Sequence, residues 1–338
     1  MRYKGQLIVW LLIGMILMPT AVWGEEKTFR VGMIGLDTSH VEAFAKHIND
    51  PKNNYGCKVV AGFPGGSPDI PTSADRVDKY TRQMREEFGV EIVKSIEELC
   101  TKVDGVMLTS VDGRPHLEQI RPVIAAGKPV FVDKPMAASL EDVIEIFRLA
   151  KDSNVPCWSS SSLRFCPGTI DMRHNEKVGD ILGCDAFSPC GLEEHHPDLY
   201  WYGIHGVEIL YTIMGPGCDT VWRVHTNNTD FVVGVWKDGR IGTFRGTRSG
   251  PHDYGAMVFG SKSVTRSGNY TSYKPLVDEV VRFFKTGKAP VPADETIELF
   301  AFMSAADVSK AQGGVAVSIK SVMEEAQRRN KLRTCKKD

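Results

Sequence analysis

From residue 28 onward the apolar positions of the chain switch between two periods. Residues 28–35, TFRVGMIG, form a nearly continuous apolar run of strand length. In residues 40–49 the apolar positions Val41, Phe44, Ala45 and Ile48 recur at helical spacing. The alternation continues with a strand at 57–63, an amphipathic helix over 75–89 closed by Gly89, and a strand at 90–93. A short helix over 95–102, a strand at 104–110, a helix over 116–127, a strand at 129–133 and a helix over 139–150 follow. Ser95 and Glu98 ahead of Leu99 make a capping box for the short helix. Strands alternating with helices at this spacing build a parallel sheet by right-handed crossovers. The pattern therefore predicts an α/β chain whose first domain, residues 25–150, is a doubly wound parallel sheet.

The second half reads differently. Residues 155–165 read as a strand and turn, and 202–215 as a helix stopped by Gly215 and Pro216. Residues 229–246 alternate around Asp238-Gly239, a hairpin signal. Further strands at 256–260 and 263–267 precede helices over 275–287 and 293–312. Consecutive hairpins beside helices predict an α+β domain with a mostly antiparallel sheet over 151–330, and an exposed face of that sheet favours a homodimer or homotetramer.

Composition adds little except at the first residues. The chain has 338 residues, 42% hydrophobic and 25% charged, with a formal net charge of −1. A nucleic-acid partner would need a clustered basic face, and the short basic stretch 328–337 reads as a solvated helix end. Arg2 and Lys4 precede an apolar run over 7–18, then Pro19 and Val22-Trp23-Gly24. This is the layout of a signal peptide over 1–24 cleaved after Gly24, which would export the chain and leave no membrane span; an uncleaved anchor is the alternative. Eight cysteines, at 57, 100, 157, 166, 184, 190, 218 and 335, form no CxxC pair, which argues against a zinc ribbon.

A helix led by His116 closes at Ala126-Gly127-Lys128, and the next strand delivers Asp133-Lys134-Pro135. FGVEIVKSIEELCTKVDGVML stands before it, and Arg164-Phe165 with Pro167 after it. GIHGVEILYTIMG and FFKTGKAPVPADETIELFAFMSAADVS follow. Together these segments resemble the glucose–fructose oxidoreductase and inositol dehydrogenase family (Gfo/Idh/MocA) over nearly the whole chain beyond residue 24. The resemblance implies a Rossmann-type first domain, NAD or NADP as cofactor, and a sugar or polyol hydroxyl as the reacting group. It implies that Lys134 orients that hydroxyl and stabilises developing oxyanion charge, with Asp133 and Pro135 beside the cofactor and a cis bond before Pro135. It makes His205, which follows Gly203 at the start of a helix, the general base, a task suited to an unperturbed pKa of about 6.5.

Departures from the family pattern sharpen the expectations. Trp201 stands where the family has an aspartate partner for the histidine, and Glu208 on the same helical face is a candidate substitute. A dinucleotide turn should read GxGxxG, but here it reads Gly35-Leu36-Asp37-Thr38-Ser39-His40. Asp37 would repel a pyrophosphate unless it turns away as a helix cap. The second strand ends at Phe63 rather than at an acidic residue for a ribose hydroxyl, with Asp69 six residues on. Arg164, His195, His196 and Tyr202 are candidate substrate contacts. The cluster Glu193, Glu194, His195, His196 and Asp198 also permits a metal reading, disfavoured because neighbouring histidines in an extended loop point apart. Three functions follow: a nicotinamide-dependent sugar or polyol oxidoreductase running a redox-neutral cycle on retained cofactor, a carbohydrate-binding or scaffold protein that has lost the cofactor, and a metal-dependent isomerase or lyase.

Overall fold

Four apolar residues in a row, Val31–Ile34, carry no exposed surface, which marks a strand covered on both faces. The computed structural model describes residues 27–334, so the signal-peptide reading on 1–24, like Cys335, lies outside the described residues. In chain order the first half runs β1 (Phe29–Ile34), α1 (Ser39–Asn49), β2 (Cys57–Phe63), α2 (Pro71–Glu86), β3 (Glu91–Ile92), α3 (Ile96–Lys102), β4 (Gly105–Leu108), α4 (His116–Ala125), β5 (Val130–Val132), α5 (Leu140–Asp152) and β6 (Cys157–Ser159). All neighbours in this sheet are parallel, in the order β3-β2-β1-β4-β5-β6, the doubly wound arrangement the pattern predicts. The sixth strand corrects the division at residue 150, because Cys157–Ser159 completes the first sheet rather than opening the second domain. Local chemistry sets the helix starts: Ser95 Oγ accepts from Glu98 N at 3.1 Å and Ser139 Oγ from Asp142 N at 3.1 Å.

The second half contributes β7 (Ile181–Pro189), α6 (Ile204–Met214), β8 (Cys218–His225), β9 (Thr229–Trp236), β10 (Ile241–Thr247), β11 (Gly255–Gly260), β12 (Val264–Arg266), α7 (Lys274–Thr286), α8 (Ala293–Ala311), β13 (Val317–Ser318) and α9 (Ile319–Thr334). Its sheet has the order β12-β11-β7-β10-β9-β8-β13, antiparallel except for the central β10–β7 pair. Helix α6 is buried at every position and lies flat on this sheet. A Cβ at Gly206 would stand 2.3 Å from the Phe244 ring on β10.

The two halves share their cores. On one face of the first sheet, Val31, Met33, Phe131 and Trp158 pack with Leu276, Val280 and Phe283 of α7, and Phe29 stacks on Phe284 at 5.3 Å. The other face merges with the core beneath the second sheet. The basic stretch read as a solvated helix end is corrected in part: Arg329 donates to Glu141 at 3.2 Å and Arg333 to Asp142 at 2.6 Å, tying α9 to α5. The seven described cysteines are free thiols. Among the described residues no helix is long and apolar enough to cross a membrane.

Candidate active site

Strand β5 ends at Val132 and the chain passes through buried Asp133 into Lys134, whose bond to Pro135 is cis. This is the carboxyl edge of a parallel sheet, where open α/β folds take their ligands. Lys134 opens into a cavity of about 320 Å³ between that edge and the start of α6, and Tyr202 and His205 line it from the other side. The cavity is at the small end of the range for small-molecule sites. Burial draws the Lys134 ammonium below its usual pKa, while Asp133 and Asp37 hold it up. The lysine and the histidine therefore line one cavity.

His205 is 6% exposed, and its Nδ1 shares a 2.7 Å hydrogen bond with Ser161 Oγ. Burial, then the Lys134 ammonium and the His40 ring, hold its pKa well below the ordinary histidine value. The candidate substitute partner is corrected: Glu208 does not reach His205. It pairs instead with Arg164 Nε, accepts from Ser160 Oγ at 3.1 Å and from Ser161 N at 3.3 Å. A buried guanidinium outcompetes a neutral imidazole for a carboxylate.

A second imidazole faces the same cavity. His40 Nδ1 is bonded to Asp133 Oδ2, and Asp133 Oδ1 accepts from Lys134 N at 2.8 Å. Burial works to raise the Asp133 pKa, but His40, then Lys134, bring it below the usual carboxylate value. The His40 ring is 4.6 Å from Tyr273 and 5.3 Å from Phe44. The aspartate of the Asp-Lys-Pro segment thus orients a histidine.

Asp37 does not face outward. Its carboxylate is fully buried, accepting from Ser73 Oγ at 2.6 Å and Val111 N at 3.0 Å, and burial pushes its pKa up. It turns away, but not as the cap of α1; that cap is Thr38, whose Oγ1 accepts from His40 N at 3.4 Å. The first turn of α1, with Thr38, Ser39 and His40, is left lining the cavity beside Arg76. A helix N-terminus with a cation alongside suits a pyrophosphate, so these residues would fit that end of a dinucleotide.

The remaining sequence candidates do not converge on the cavity. Gly35 has φ +83°, and a Cβ there would stand 2.2 Å from Ser110 Oγ, so the turn is packed shut against the loop after β4. Leu36 is fully buried in the core, and Pro135 is buried off the lining. Arg164 is a core cation between Glu208 and Glu295, the latter at 2.7 Å, and not a substrate contact. His195 and His196 are likewise corrected: they belong to a latch between the halves. Glu193 holds His195 at 2.7 Å and His196 at 2.6 Å, while His196 Nε2 accepts from Gly113 N at 3.1 Å. Asp198 leaves that cluster for Arg223 at 2.7 Å and for Lys310, and among the described residues no group of three metal-ligating side chains is placed to hold an ion.

The sequence reading missed Tyr254, Tyr270 and Tyr273 on the cavity wall, with Tyr254 Oη 3.2 Å from Tyr202 Oη. Their one signal is the tyrosine density of DYGAM and NYTSYK in polar loops.

Residues 29–161 match the family described as an oxidoreductase family with an NAD-binding Rossmann fold. An oxidoreductase of Streptococcus pneumoniae, whose activity has not been characterised, is 27% identical over 153 residues, covering 40% of this chain and 41% of its own. A myo-inositol dehydrogenase of Streptomyces leeuwenhoekii is 26% identical over 97 residues, 29% of this chain and 30% of that one. The chain thus spans less than half the length of these curated relatives. Among solved structures, scyllo-inositol dehydrogenase of Lactobacillus casei with bound NAD(H) and scyllo-inositol superposes with a TM-score of 0.72 at 16% identity, covering 87% of this chain and 100% of that one. Myo-inositol 2-dehydrogenase of Lactobacillus plantarum gives 0.71 at 19%, over 86% and 99%. Those likenesses carry the fold, and over residues 29–161 the chain is similar to the Gfo/Idh/MocA oxidoreductases with an NAD-binding Rossmann fold.

Proposed function

We propose that this chain oxidises a hydroxyl of a sugar or polyol, with NAD or NADP as hydride acceptor. The observation that carries the reading is one cavity receiving Lys134 from the first half and His205 from the second. The dinucleotide supplies the hydride-accepting ring. Lys134 donates to the reacting oxygen and steadies the charge that develops on it. His205, kept neutral, takes a hydrogen bond with a substrate hydroxyl and holds the sugar's orientation. The tyrosine hydroxyls of Tyr202 and Tyr254 suit a polyhydroxylated ligand.

With the signal peptide proposed over 1–24, the chain would work where free dinucleotide is scarce. A retained cofactor and a redox-neutral cycle then fit better than net dehydrogenation. Purified protein should release nicotinamide on denaturation or melt higher with NAD or NADP. A panel of polyols including myo- and scyllo-inositol should reveal turnover, and Lys134→Ala should cut it about 10²–10³-fold. No nucleotide by either measurement, together with turnover untouched by the alanine, defeats the reading.

A second reading, a carbohydrate-binding protein without cofactor, is favoured by a specific feature. The loops after β2 and β4 are tied to each other where the adenosine end would lie, through Ser67–Asp112 at 2.6 Å and Arg114–Asp69 at 2.7 Å. Sugar binding without any nucleotide effect would select it.

The outer face of the second sheet supports a proposed homodimer or homotetramer. Val224, Ile241, Met257, Phe259 and Val264 are exposed there.

A further inference from the structure

The geometry points to His40 as the group that takes and returns the substrate's proton, with Asp133 as the residue that positions it. The inference rests on the reading of the cavity as a site of hydroxyl oxidation. His40 occupies the place where a dinucleotide turn carries its third glycine, so a side chain has been introduced where the fold ordinarily leaves room. That side chain is 8% exposed, wedged between Tyr273 and Phe44, and lines the same cavity as Lys134.

Its hydrogen bonding has one consistent arrangement. An ionised carboxylate only accepts, so Nδ1 carries the hydrogen toward Asp133 and the neutral ring presents a bare Nε2. Among the described residues that Nε2 has no hydrogen-bond partner. A carboxylate behind one imidazole nitrogen and an open lone pair on the other is the arrangement by which a histidine serves as a base.

His205 lacks it, because Nδ1 meets only the Ser161 hydroxyl and Glu208 is committed to Arg164. A proton arriving on His205 would add an uncompensated charge near Lys134. On His40 it would sit against the Asp133 carboxylate. In the oxidising direction His40 Nε2 would take the hydroxyl proton, a bound oxidised nicotinamide would supply the hydride acceptor for the C–H electron pair, and Lys134 would donate to the oxygen of the resulting carbonyl. The reverse direction returns both.

Two measurements test this on the full mature protein. With [¹⁵N]histidine labelling, the His40 signal, assigned by its loss in His40→Gln, should show the Nδ1–H tautomer with Nε2 bare, and Asp133→Asn should abolish that state. With a polyol that the wild type oxidises, His40→Gln should lower kcat about 10²–10⁴-fold with KM little changed, and His205→Gln by less than about tenfold. Asp133→Asn should lower kcat while keeping KM, with part recovered in Asp133→Glu. An Nε2–H tautomer overturns the proposal, as does turnover abolished by His205→Gln but kept within about threefold by His40→Gln. If the wild type oxidises no polyol, the oxidoreductase reading fails by itself, and the tautomer alone then decides the proposal: bare Nε2 sustains it, protonated Nε2 overturns it.

Discussion

A histidine buried next to a lysine has a consequence for stability as well as for chemistry. Burial, with Lys134 and His40 nearby, holds the His205 pKa well below its ordinary value, whereas in the unfolded chain it returns to about 6.5. Between those two values the unfolded state binds the extra proton. The contribution is therefore complete above about pH 6.5 and is lost as pH falls toward the folded value. His205→Gln removes this titration and should flatten the acid limb of the melting curve between about pH 7 and pH 5; identical slopes for variant and wild type contradict it. Asp37 makes the contrasting case. Its carboxylate satisfies a buried amide and a buried hydroxyl, so Asp37→Ala should cost about 1–3 kcal/mol in urea unfolding. Because it points away from the cavity, its loss should not tighten dinucleotide binding; a gain of tenfold or so would show that it does face the pyrophosphate.

Among elements, the one holding α6 in place is ionic. Arg164 lies between Glu208 on α6 and Glu295 on α8, all three nearly inaccessible. Arg164→Met leaves Glu208 buried without a cation and Glu295 with only Arg173 at 3.6 Å, and should cost about 3–5 kcal/mol; adding Glu208→Gln and Glu295→Gln should recover much of it, and additive losses in the triple variant would refute the account. This trio also explains what was legible beforehand. Strands β1, β2, β4 and β5 announced themselves as apolar runs, and α6 and α8 by period and terminal glycine or proline. Strand β7, ILGCDAFSP, mixes glycine, cysteine and aspartate and shows no clean alternation, so it passed unread. Arg164 was readable as a charged residue in a family segment but not as a buried one, since its partners lie 44 and 131 residues away. His40 was read as a missing glycine because its aspartate is 93 positions distant. Lys134 and His205 were legible only through resemblance, and the tyrosines came from loops whose position is a property of the assembled halves.

At the scale of the whole molecule, the second sheet has one face on α6 and α8 and, among the described residues, one face without cover. Register places Phe231, Arg245 and Phe187 in one row across β9, β10 and β7, and Val235, Ile241 and Gly183 in another that continues to Phe259 and Val264. Of the charges in the patch, Arg245 lies 4.9 Å over the Phe231 ring, Arg266 5.6 Å over Phe187, and Asp185 accepts from Thr243 Oγ1 at 2.6 Å. Strand residues that alternate apolar on both faces, in a sheet covered on one face only, leave a surface that water solvates poorly. A second copy meeting it face to face would bury the same rows on both sides, the self-complementary geometry of a twofold dimer. The proposed assembly therefore predicts that Ile241→Glu with Phe259→Glu converts the protein to monomer in light scattering. The melting temperature of the separated chain should fall only by what the lost association supplied, since neither side chain contributes to the core. Wild-type protein that already runs as a monomer at micromolar concentration would remove the dimer from the account and leave the cavity, which is built within one chain, untouched.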